Sequence, residues 1–338
     1  MTADPRAVAA ALLDGALAVL PTETVYGLAA RADNPAAVAR IYAVKGRPAL
    51  HPVIVHVADP HLDPDAPGSW VREVPDYARQ LAEACWPGPL TLVLPRSARA
   101  GDDVTGGQDT VAIRVPGHPV ALAVIQAMDE ADPAGAPHGV AAPSANRFGH
   151  VSPTSLAHAL ADLGELLAES DMAIDGGACS VGVESTIVDC TGPQPRVLRP
   201  GGIGVADIER TTGLEALDAT ASGIRVPGAL PSHYAPAARI ALAPDAEALA
   251  AYVDAVVEGG TEVERIGVIA SSAIPTPEGA TRLLAPDSVD AYARGLYDSL
   301  RRADATGVVF VVAVPPDPDA EGVSEAIADR LRRASAPR

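Results

Sequence analysis

Short apolar runs alternate with longer helical segments along almost the whole chain of 338 residues. Residues 53–57 and 110–115 are typical of these runs, because each has the length and the β-branched composition of a buried strand. The segments between the runs are long enough for helices. Strands that alternate with helices predict an α/β fold with a mainly parallel or mixed sheet whose faces are covered.

The alternation changes character between residues 213 and 238. This stretch contains three prolines between residues 227 and 236, and prolines favour an extended path. A chain of this length also suits two domains. We therefore predict a first α/β domain over residues 1–212, a linker over 213–238, and a smaller, Rossmann-like α/β domain over 239–338.

The composition indicates a globular protein, with 48% apolar and 20% charged residues. No apolar run approaches the ~20 residues that span a bilayer, and no secretory signal is visible at the start. The three cysteines, Cys85, Cys179 and Cys190, form no CxxC pair, which argues against a zinc site or a disulfide framework. We expect a cytoplasmic protein that does not contact membranes.

The charge balance argues against a function in binding the backbone of a nucleic acid. The formal net charge is −18, and residues 239–338 hold 10 arginines and 16 acidic residues. Residues 1–238 hold the other 15 cations and 27 acidic residues, so neither part is basic. The net charge does not exclude a local basic cleft, because the distribution of charge matters more than the sum.

Lys45 is the only lysine in the chain, among 24 arginines, and Arg47 follows two residues later. Lysine offers a point charge and arginine a planar fork of donors, and a phosphate site often uses both. Two plainer explanations stay open. A lone lysine can be chance, and the end of a helix favours cations in any case.

Three further polar side chains lie in or beside apolar strands. Thr22, in Pro-Thr-Glu-Thr after a strand, fits an anion or a zwitterion, or a turn that satisfies itself. His56 lies inside an apolar strand, where a core histidine is the default. Arg114 lies inside Val-Ala-Ile-Arg-Val and needs a carboxylate or phosphate partner; an internal ion pair is as plausible as a ligand.

Small polar residues follow later strands. Ser144 and Asn146 come after residues 140–142, at a strand end where open α/β sheets bind ligands. Ser152-Pro153-Thr154 precedes a helix that we expect to reach about residue 168, and forms either an anion site or only an N-cap.

Familiar catalytic signatures are absent. The chain has no GxxxxGK[ST], GxGxxG, HExxH or GxSxG motif, and no two carboxylates are spaced as an obvious catalytic pair. A nucleophile–base mechanism is therefore not indicated.

The joint order of the motifs is more specific than any one of them. The chain reads PTETVYGL, KGRP, IVH, WPGPLTLVL, DTVAIRVP, AAPSAN, SPT, DGG, GVESTIVD, LRPGGI and HYAP in succession. This order resembles the YrdC family, in its longer, two-domain form. The resemblance covers residues 15–205 and the linker to 236, whereas residues 239–338 resemble the smaller C-terminal domain in length and pattern only.

The resemblance implies a twisted, open mixed sheet with a concave site. It also implies a nucleotidyltransferase reaction in which L-threonine, bicarbonate or CO2, and ATP with Mg²⁺ give threonylcarbamoyl-AMP and pyrophosphate. The product would pass to a tRNA threonylcarbamoyl transferase complex, so that contact with tRNA is indirect or weak.

The family's site positions carry over residue by residue. The resemblance assigns the charge-stabilising role in catalysis to Lys45 and Arg47, and no metal ligand. The positions that match the family's ATP side are Lys45, Arg47, Thr110, Ser144, Asn146, Ser152, Arg199 and, in a linker that folds over the site, Tyr234. The positions that match its threonine side are Thr22, His56, Arg114 and Thr186.

One departure and two other functions qualify this interpretation. The family often has Ser-Asp-Asn after KGRP, but this chain has Ala49-Leu50-His51, which puts side-chain contacts there in doubt.

An RNA-binding module without synthase activity is one alternative, and the acidic balance argues against it. A carbamoyltransferase subdomain is weakened because no acylphosphatase-like or zinc-binding segment accompanies it.

Overall fold

The chain folds into two compact units in the computed structural model, which describes residues 4–48, 51–219, 222–228, 235–317 and 322–336. The first unit comprises Met1–Phe148, Pro153–Ser180 and Glu184–Ala229. The second comprises Gly149–Ser152, Val181–Val183 and Leu230–Arg338. The boundaries that we placed at 212 and 238 stay a prediction, and residues 220–221 and 229–234 of the expected linker lie outside the described ranges.

Strands and helices alternate over most of the first unit, as the sequence predicts. Its strands are β1 (Ala18–Leu20), β2 (Gly27–Arg31), β3 (Ile54–Val57), β4 (Leu90–Pro95), β5 (Thr110–Arg114), β6 (Gly139–Ala141), β7 (Met172–Ala173), β8 (Thr186–Asp189) and β9 (Arg196–Arg199). Its helices are α1 (Pro5–Leu13), α2 (Pro35–Lys45), α3 (Asp76–Cys85), α4 (Asp102–Thr105), α5 (Pro119–Ala131), α6 (Leu156–Leu163) and α7 (Val205–Thr212). The alternation is broken at β1–β2 and at β7–β8–β9, which follow one another without a helix between them.

These strands form one mixed sheet, with the order β7-β1-β2-β6-β3-β5-β4-β8-β9 among the described residues. The pairs β3–β5, β4–β8 and β1–β7 are parallel, and the other neighbours are antiparallel. The apolar side chains of one sheet face join helices in a large buried cluster that is rich in Val, Leu and Ala, as the low aromatic content requires. The predicted mixed α/β class is therefore confirmed.

Helix α2 shows how local sequence positions Lys45. Its first turn is capped by the Asn34 side chain, which accepts a hydrogen bond of 3.1 Å from the Ala37 amide, and Pro35 suits the first helical position. Gly46 ends the helix in the left-handed region, with φ of 63°, a conformation that glycine adopts without strain. The last helical residue is therefore Lys45.

The predicted helix after Ser152 is wrong at both ends. Helix α6 begins at Leu156, and its N-cap is Ser155, whose hydroxyl accepts a hydrogen bond of 3.3 Å from the His158 amide. Ser155 has the extended backbone and the side-chain contact that an N-cap needs, so Ser152 and Thr154 do not cap the helix. The helix ends at Leu163, before a single 3₁₀ turn.

The sequence prediction also missed several short elements. Strand β2 has no clear strand signal, because Gly27 and two alanines lack the β-branched character of a strand. Strand β7 has two residues, too few for a period to show, and the polar helix α7 lies in a segment without strong apolar periodicity.

The second unit is a smaller α/β domain. Its strands are β10 (Arg239–Leu242), β11 (Ile266–Ile269), β12 (Thr281–Leu284) and β13 (Phe310–Ala313), and its helices are α8 (Ala246–Glu258), α9 (Val289–Ala305) and α10 (Ser324–Ser335). All pairings in its described sheet, of order β10-β13-β11-β12, are parallel. Strand β12 was not predicted. Within the described ranges, no helix is long and apolar enough to cross a membrane.

Gly201 permits a close approach of backbone that the first unit depends on. A Cβ atom at this position would stand 2.2 Å from the Thr186 amide nitrogen and 2.3 Å from the Ser185 carbonyl carbon. Because backbone cannot move aside as a flexible side chain can, we expect Gly201→Ala to lower the free energy of unfolding by about 1–3 kcal/mol or more. Equilibrium denaturant unfolding measures this loss.

Gly223→Ala is the matched control, because a Cβ at Gly223 would meet nothing within 4 Å. Its effect should stay within about 0.5 kcal/mol. Equal stabilities of the two variants would contradict the close-approach explanation.

Candidate active site

One face of the sheet collects three of the predicted site residues. Strands β3 and β5 run parallel, with His56 paired to Arg114, and paired neighbours project to the same face. Thr110 lies four residues before Arg114, and the alternation of a strand puts it on that face as well. We call this face the polar face. Its apolar part is a buried cluster formed by Ile54, Val93, Ala112, Ile187, Leu198 and Val226.

Arg114 is buried and paired to a carboxylate within the first unit. Its Nη2 donates to Glu23 Oε1 at 2.6 Å and to Thr24 Oγ1 at 3.0 Å, and its Nε donates to the Gly88 carbonyl at 3.2 Å. Of the two explanations that the sequence left open, the structure therefore contains the internal ion pair. Within the described residues Nη1 makes no hydrogen bond, so the guanidinium keeps one donor group for a ligand.

Glu23, the counter-ion of Arg114, lies in a tightly packed environment. A Cβ at Gly117 would lie 3.3 Å from both the Glu23 carboxyl carbon and Oε1, so glycine is the residue that leaves room there. The side chain of Glu23 is only 9% exposed. Its Oε2 has no hydrogen-bond partner among the described residues, and a buried oxygen of this kind normally has one.

His56 is neutral at physiological pH. Burial, and secondarily the nearby positive charge of Arg114, lower its pKa from 6.5 to about 3. The His56 Nδ1 atom is buried and lacks a hydrogen-bond partner within the described part of the chain. A neutral imidazole with a free nitrogen can still take part in a hydrogen bond with a substrate.

Thr22 forms the self-satisfied turn that the sequence left as an alternative. Its hydroxyl donates to the Val25 carbonyl at 2.6 Å and lies 2.8 Å from the Thr24 hydroxyl. Because the single Thr22 hydrogen is used for Val25, the Thr24 hydroxyl donates to Thr22 and accepts from Arg114. The turn thus orients the guanidinium through Thr24.

Thr186 is not brought to the polar face. Strand alternation places the Thr186 side chain opposite that of Ile187, and its hydroxyl donates to the Ile203 carbonyl at 2.6 Å and accepts from the Ile203 amide at 2.8 Å. The predicted contact between Thr186 and threonine stays a prediction, and this geometry gives its hydroxyl no part in it.

Lys45 is buried against the loop that follows β6. Its Nζ donates to the Ser144 and Asn146 carbonyls, each at 2.5 Å. Burial, and secondarily the charge of Arg47, hold the pKa of Lys45 well below its ordinary value, while Asp162 acts in the opposite direction. The lysine therefore fixes the strand-end loop that the sequence singled out.

Three other positions on the predicted ATP side, Arg47, Thr110 and Ser144, lie at one edge of the sheet. Strand β6 is antiparallel to β3, and β3 is parallel to β5, so the end of β6 lies beside the starts of β3 and β5. Ser144 follows β6, and Thr110 opens β5. Arg47 donates to the Pro52 carbonyl, just before β3, at 2.7 Å. Lys45 reaches the same edge through the Ser144 carbonyl, and we call this edge, with Lys45 and Arg47, the cationic edge.

Asn146 and Ser152 are both buried. The side-chain Nδ2 of Asn146 donates to the Arg147 carbonyl at 2.8 Å, and the backbone amide of Asn146 donates to the Ser144 carbonyl at 3.0 Å. Ser152 belongs to the second compact unit. Tyr234, which we predicted as an ATP contact, lies outside the described residues.

Arg199 fixes two pieces of backbone. Its Nε and Nη2 donate to the Ser185 carbonyl at 3.1 and 2.8 Å, Nη2 also donates to the Ser185 hydroxyl, and Nη1 donates to the Pro227 carbonyl at 2.9 Å. The segment 222–228, which we call the cover segment, is thereby joined to the start of β8. Val226 from this segment packs into the apolar part of the polar face.

Two family models match the chain in tandem. The Sua5/YciO/YrdC model, described as "Telomere recombination", matches residues 10–201. The chain belongs to the Sua5/YciO/YrdC family. The model "Threonylcarbamoyl-AMP synthase, C-terminal domain" matches residues 203–336, so the predicted two-domain form of the family is confirmed.

Relatives in the family match this member over nearly its whole length. A protein of Pyrococcus abyssi and one of Bacillus subtilis, both named threonylcarbamoyl-AMP synthase, are 37% and 39% identical to it. The matches cover 98% and 99% of this chain and 93% and 94% of the relatives. The crystal structure of P. abyssi Sua5 complexed with L-threonine superposes with a TM-score of 0.85 at 36% identity, covering 98% of this chain and 94% of that one.

Sequence reasoning missed Glu23 in this Sua5/YciO/YrdC family member, although the residue stands inside the quoted PTET motif. A carboxylate next to the predicted anion-binding threonine was the available signal. It also missed Gln108 and Arg225, whose side chains join the cover segment to the loop before β5. No local spacing connects residues so far apart in the chain.

Removing the carboxylate of Glu23 should destabilise the fold. The change Glu23→Ala leaves the buried Arg114 without its counter-ion, and breaking such a pair costs about 3–5 kcal/mol. Denaturant unfolding should show this loss. Glu130→Ala removes an exposed carboxylate that lies 3.8 Å from Arg6, and as a control it should change stability by less than about 1 kcal/mol. Comparable losses in both variants would contradict the importance of the buried pair.

His56 should make the stability of the fold depend on pH. Its pKa is about 3 in the folded chain, against an ordinary 6.5, so between these values the unfolded chain binds more protons. The free energy of unfolding therefore falls as the pH falls, by up to about 1.4 kcal/mol per pH unit. Urea unfolding between about pH 6 and pH 4 should show a shallower slope in His56→Asn.

The exposed His61 provides the control for this slope. His61→Asn should keep the wild-type dependence of the unfolding free energy on pH. An unchanged slope in His56→Asn would show that His56 is not the group responsible.

Proposed function

We propose that this chain synthesises threonylcarbamoyl-AMP from L-threonine, bicarbonate or CO2, and ATP, and releases pyrophosphate. The observation that carries the proposal is the match to synthases of the same two-domain length, at 37% and 39% identity over 98% and 99% of the chain. The structural neighbour that was solved with L-threonine supports the substrate. The reaction is a nucleotidyl transfer and forms the first step of a tRNA threonylcarbamoyladenosine modification.

The chemistry suits a site without a nucleophilic side chain. The amine of threonine and CO2 give a carbamate, a carbamate oxygen attacks the α-phosphorus of ATP, and pyrophosphate leaves. The carbamate is already an anion, so the protein's task is to bring two anions together and to offset the charge that moves onto the leaving group. Fixed cations and donors do this, and we assign this role to the polar face and the cationic edge.

On the threonine side, Arg114 would bind the carboxylate of threonine through its remaining Nη1 group. His56, its neighbour in the register, is neutral and offers a nitrogen for a hydrogen bond. Thr22 orients Arg114 through Thr24, which is an indirect role. Thr186 keeps its place among the proposed threonine positions only through the family resemblance.

On the ATP side, Lys45 and Arg47 would face the phosphates at the cationic edge. The remaining proposed ATP contacts are Thr110, Ser144, Asn146, Ser152, Arg199 and Tyr234. Movement of the predicted linker over the site would keep water from the mixed anhydride.

Mg²⁺ would enter with ATP as part of the substrate. Within the described residues, no group of three or more His, Cys, Asp or Glu side chains is arranged to hold a metal ion. Magnesium that arrives on phosphates needs only one or two protein carboxylates and retains several waters, so its role here is to offset phosphate charge.

The product would pass to a tRNA threonylcarbamoyl transferase complex in the cytoplasm. An RNA-binding module without synthase activity fits less well. Neither part of the chain is basic, and binding to the phosphate backbone of a nucleic acid depends on a basic surface.

Pyrophosphate release tests the function directly. The protein is incubated with ATP, bicarbonate and L-threonine, and pyrophosphate is measured with each component omitted in turn. We expect release that requires threonine. Release that is independent of threonine would exclude the synthase.

Lys45→Ala should lower turnover by about 10²-fold or more, the usual scale for losing one charge-stabilising donor. The same pyrophosphate assay measures this, with far-UV circular dichroism as a check on folding. Arg6→Ala, a change at an exposed cation on α1, should keep wild-type turnover. Near-wild-type turnover in Lys45→Ala would remove this residue from the mechanism.

A further inference from the structure

The cationic edge carries a third basic side chain that the sequence did not single out. Arg225 lies in the cover segment, and its backbone is held by the side chain of Gln108. Gln108 Oε1 accepts from the Arg225 amide at 2.7 Å, and Gln108 Nε2 donates to the Arg225 carbonyl at 3.1 Å. Because Gln108 comes just before β5, this contact fixes Arg225 at the edge where β3 and β5 begin.

The guanidinium of Arg225 is anchored at one nitrogen only. Its Nη2 donates to the Gly106 carbonyl at 2.7 Å, while Nε and Nη1 make no hydrogen bond with the described residues. Arg225 also forms no ion pair within the described ranges, and it is exposed to solvent. A planar fork of donors is thus held in place with most of its donors unused.

Arg225 and Arg47 are anchored on adjoining pieces of backbone. Arg47 donates to the Pro52 carbonyl, and the next residue, Val53, donates its amide to the Val104 carbonyl at 2.9 Å. The anchor of Arg225, Gly106, follows Val104 by two residues. The two guanidinium groups are therefore attached to neighbouring segments on the same edge.

His51 reports the same proximity. After burial, the positive charges of Arg47 and Arg225 are the causes that lower its pKa, so both guanidinium groups act on one imidazole. Two cations anchored on adjoining backbone segments repel each other, and a ligand with several negative charges relieves the repulsion. The cationic edge therefore suits an anion larger than a single phosphate.

We propose that Arg225 is a second guanidinium for the polyphosphate of ATP, acting with Arg47 on the β- and γ-phosphates that leave as pyrophosphate. This inference rests on the proposed function and extends it to a residue of the cover segment. It gives the segment a direct role, because a bound triphosphate would connect the cover segment to the end of α2.

The plainer explanation is that Arg225 only anchors the cover segment to Gly106. Loss of an anchor would weaken every nucleotide alike, whereas loss of a polyphosphate ligand would weaken ATP and spare AMP, which lacks the β- and γ-phosphates. The ratio of the two dissociation constants separates these roles.

The experiment is isothermal titration calorimetry of ATP, AMP and inorganic pyrophosphate with the full chain, without threonine and bicarbonate. We expect Arg225→Ala to raise the Kd for ATP and for pyrophosphate about tenfold, the scale of one charge-assisted hydrogen bond, and to leave the Kd for AMP within about twofold. Arg225→Gln keeps a donor for the Gly106 carbonyl but carries no charge, and it should show the same selective loss.

Arg196→Ala is the matched control, because Arg196 also donates to a backbone carbonyl, that of Asp218 at 2.6 Å, but lies on β9. It should leave both affinities unchanged. Equal changes for ATP and AMP in Arg225→Ala, no change at all, or wild-type ATP affinity in Arg225→Gln would overturn the proposal. Pyrophosphate release by the wild-type chain is measured separately, so that failure of the synthase function is distinguished from failure of this assignment.

Discussion

The parallel register between β3 and β5 is the constraint on which the rest of the site depends. It puts His56 beside Arg114 and leaves Thr110 at the other end of the same face, about 13 Å away along the strand. A slip of one residue would turn every one of these side chains to the opposite face. The apolar neighbours of this face, among them Ile54 and Ala112, are buried together, and their burial is what opposes such a slip.

Lys45 shows how a buried charge can serve both the fold and a ligand. Its ammonium joins the end of α2 to the loop after β6 through two carbonyls, while burial and Arg47 lower its pKa. A polyphosphate at the cationic edge would favour the charged form again, because a nearby anion stabilises a cation. Under the proposed function, binding of ATP and protonation of Lys45 would therefore favour each other.

Local patterns were sufficient for much of the fold, and insufficient for the contacts between distant segments. The bounds of α2 follow from its capping residues, and β3 and β5 follow from short apolar runs. The counter-ion of Arg114 stands 91 residues away, and the partner of Gln108 stands 117 residues away, so no local spacing reveals either. The face on which Thr186 projects depends on how β8 pairs with β4, and a motif of eight residues contains no information on that pairing.

Arg199 matches an ATP-side position of the family and also makes hydrogen bonds within the fold, and these two roles are compatible. The same guanidinium fixes Ser185 before β8 and the Pro227 carbonyl in the cover segment. Pro227 lies two residues after Arg225, so Arg199 and Gln108 hold the cover segment from both sides of Val226, which packs on the polar face. A nucleotide that contacts Arg199 would therefore act on the same short segment that presents Arg225. Under the proposed function, substrate binding and the position of the cover segment would depend on the same set of hydrogen bonds.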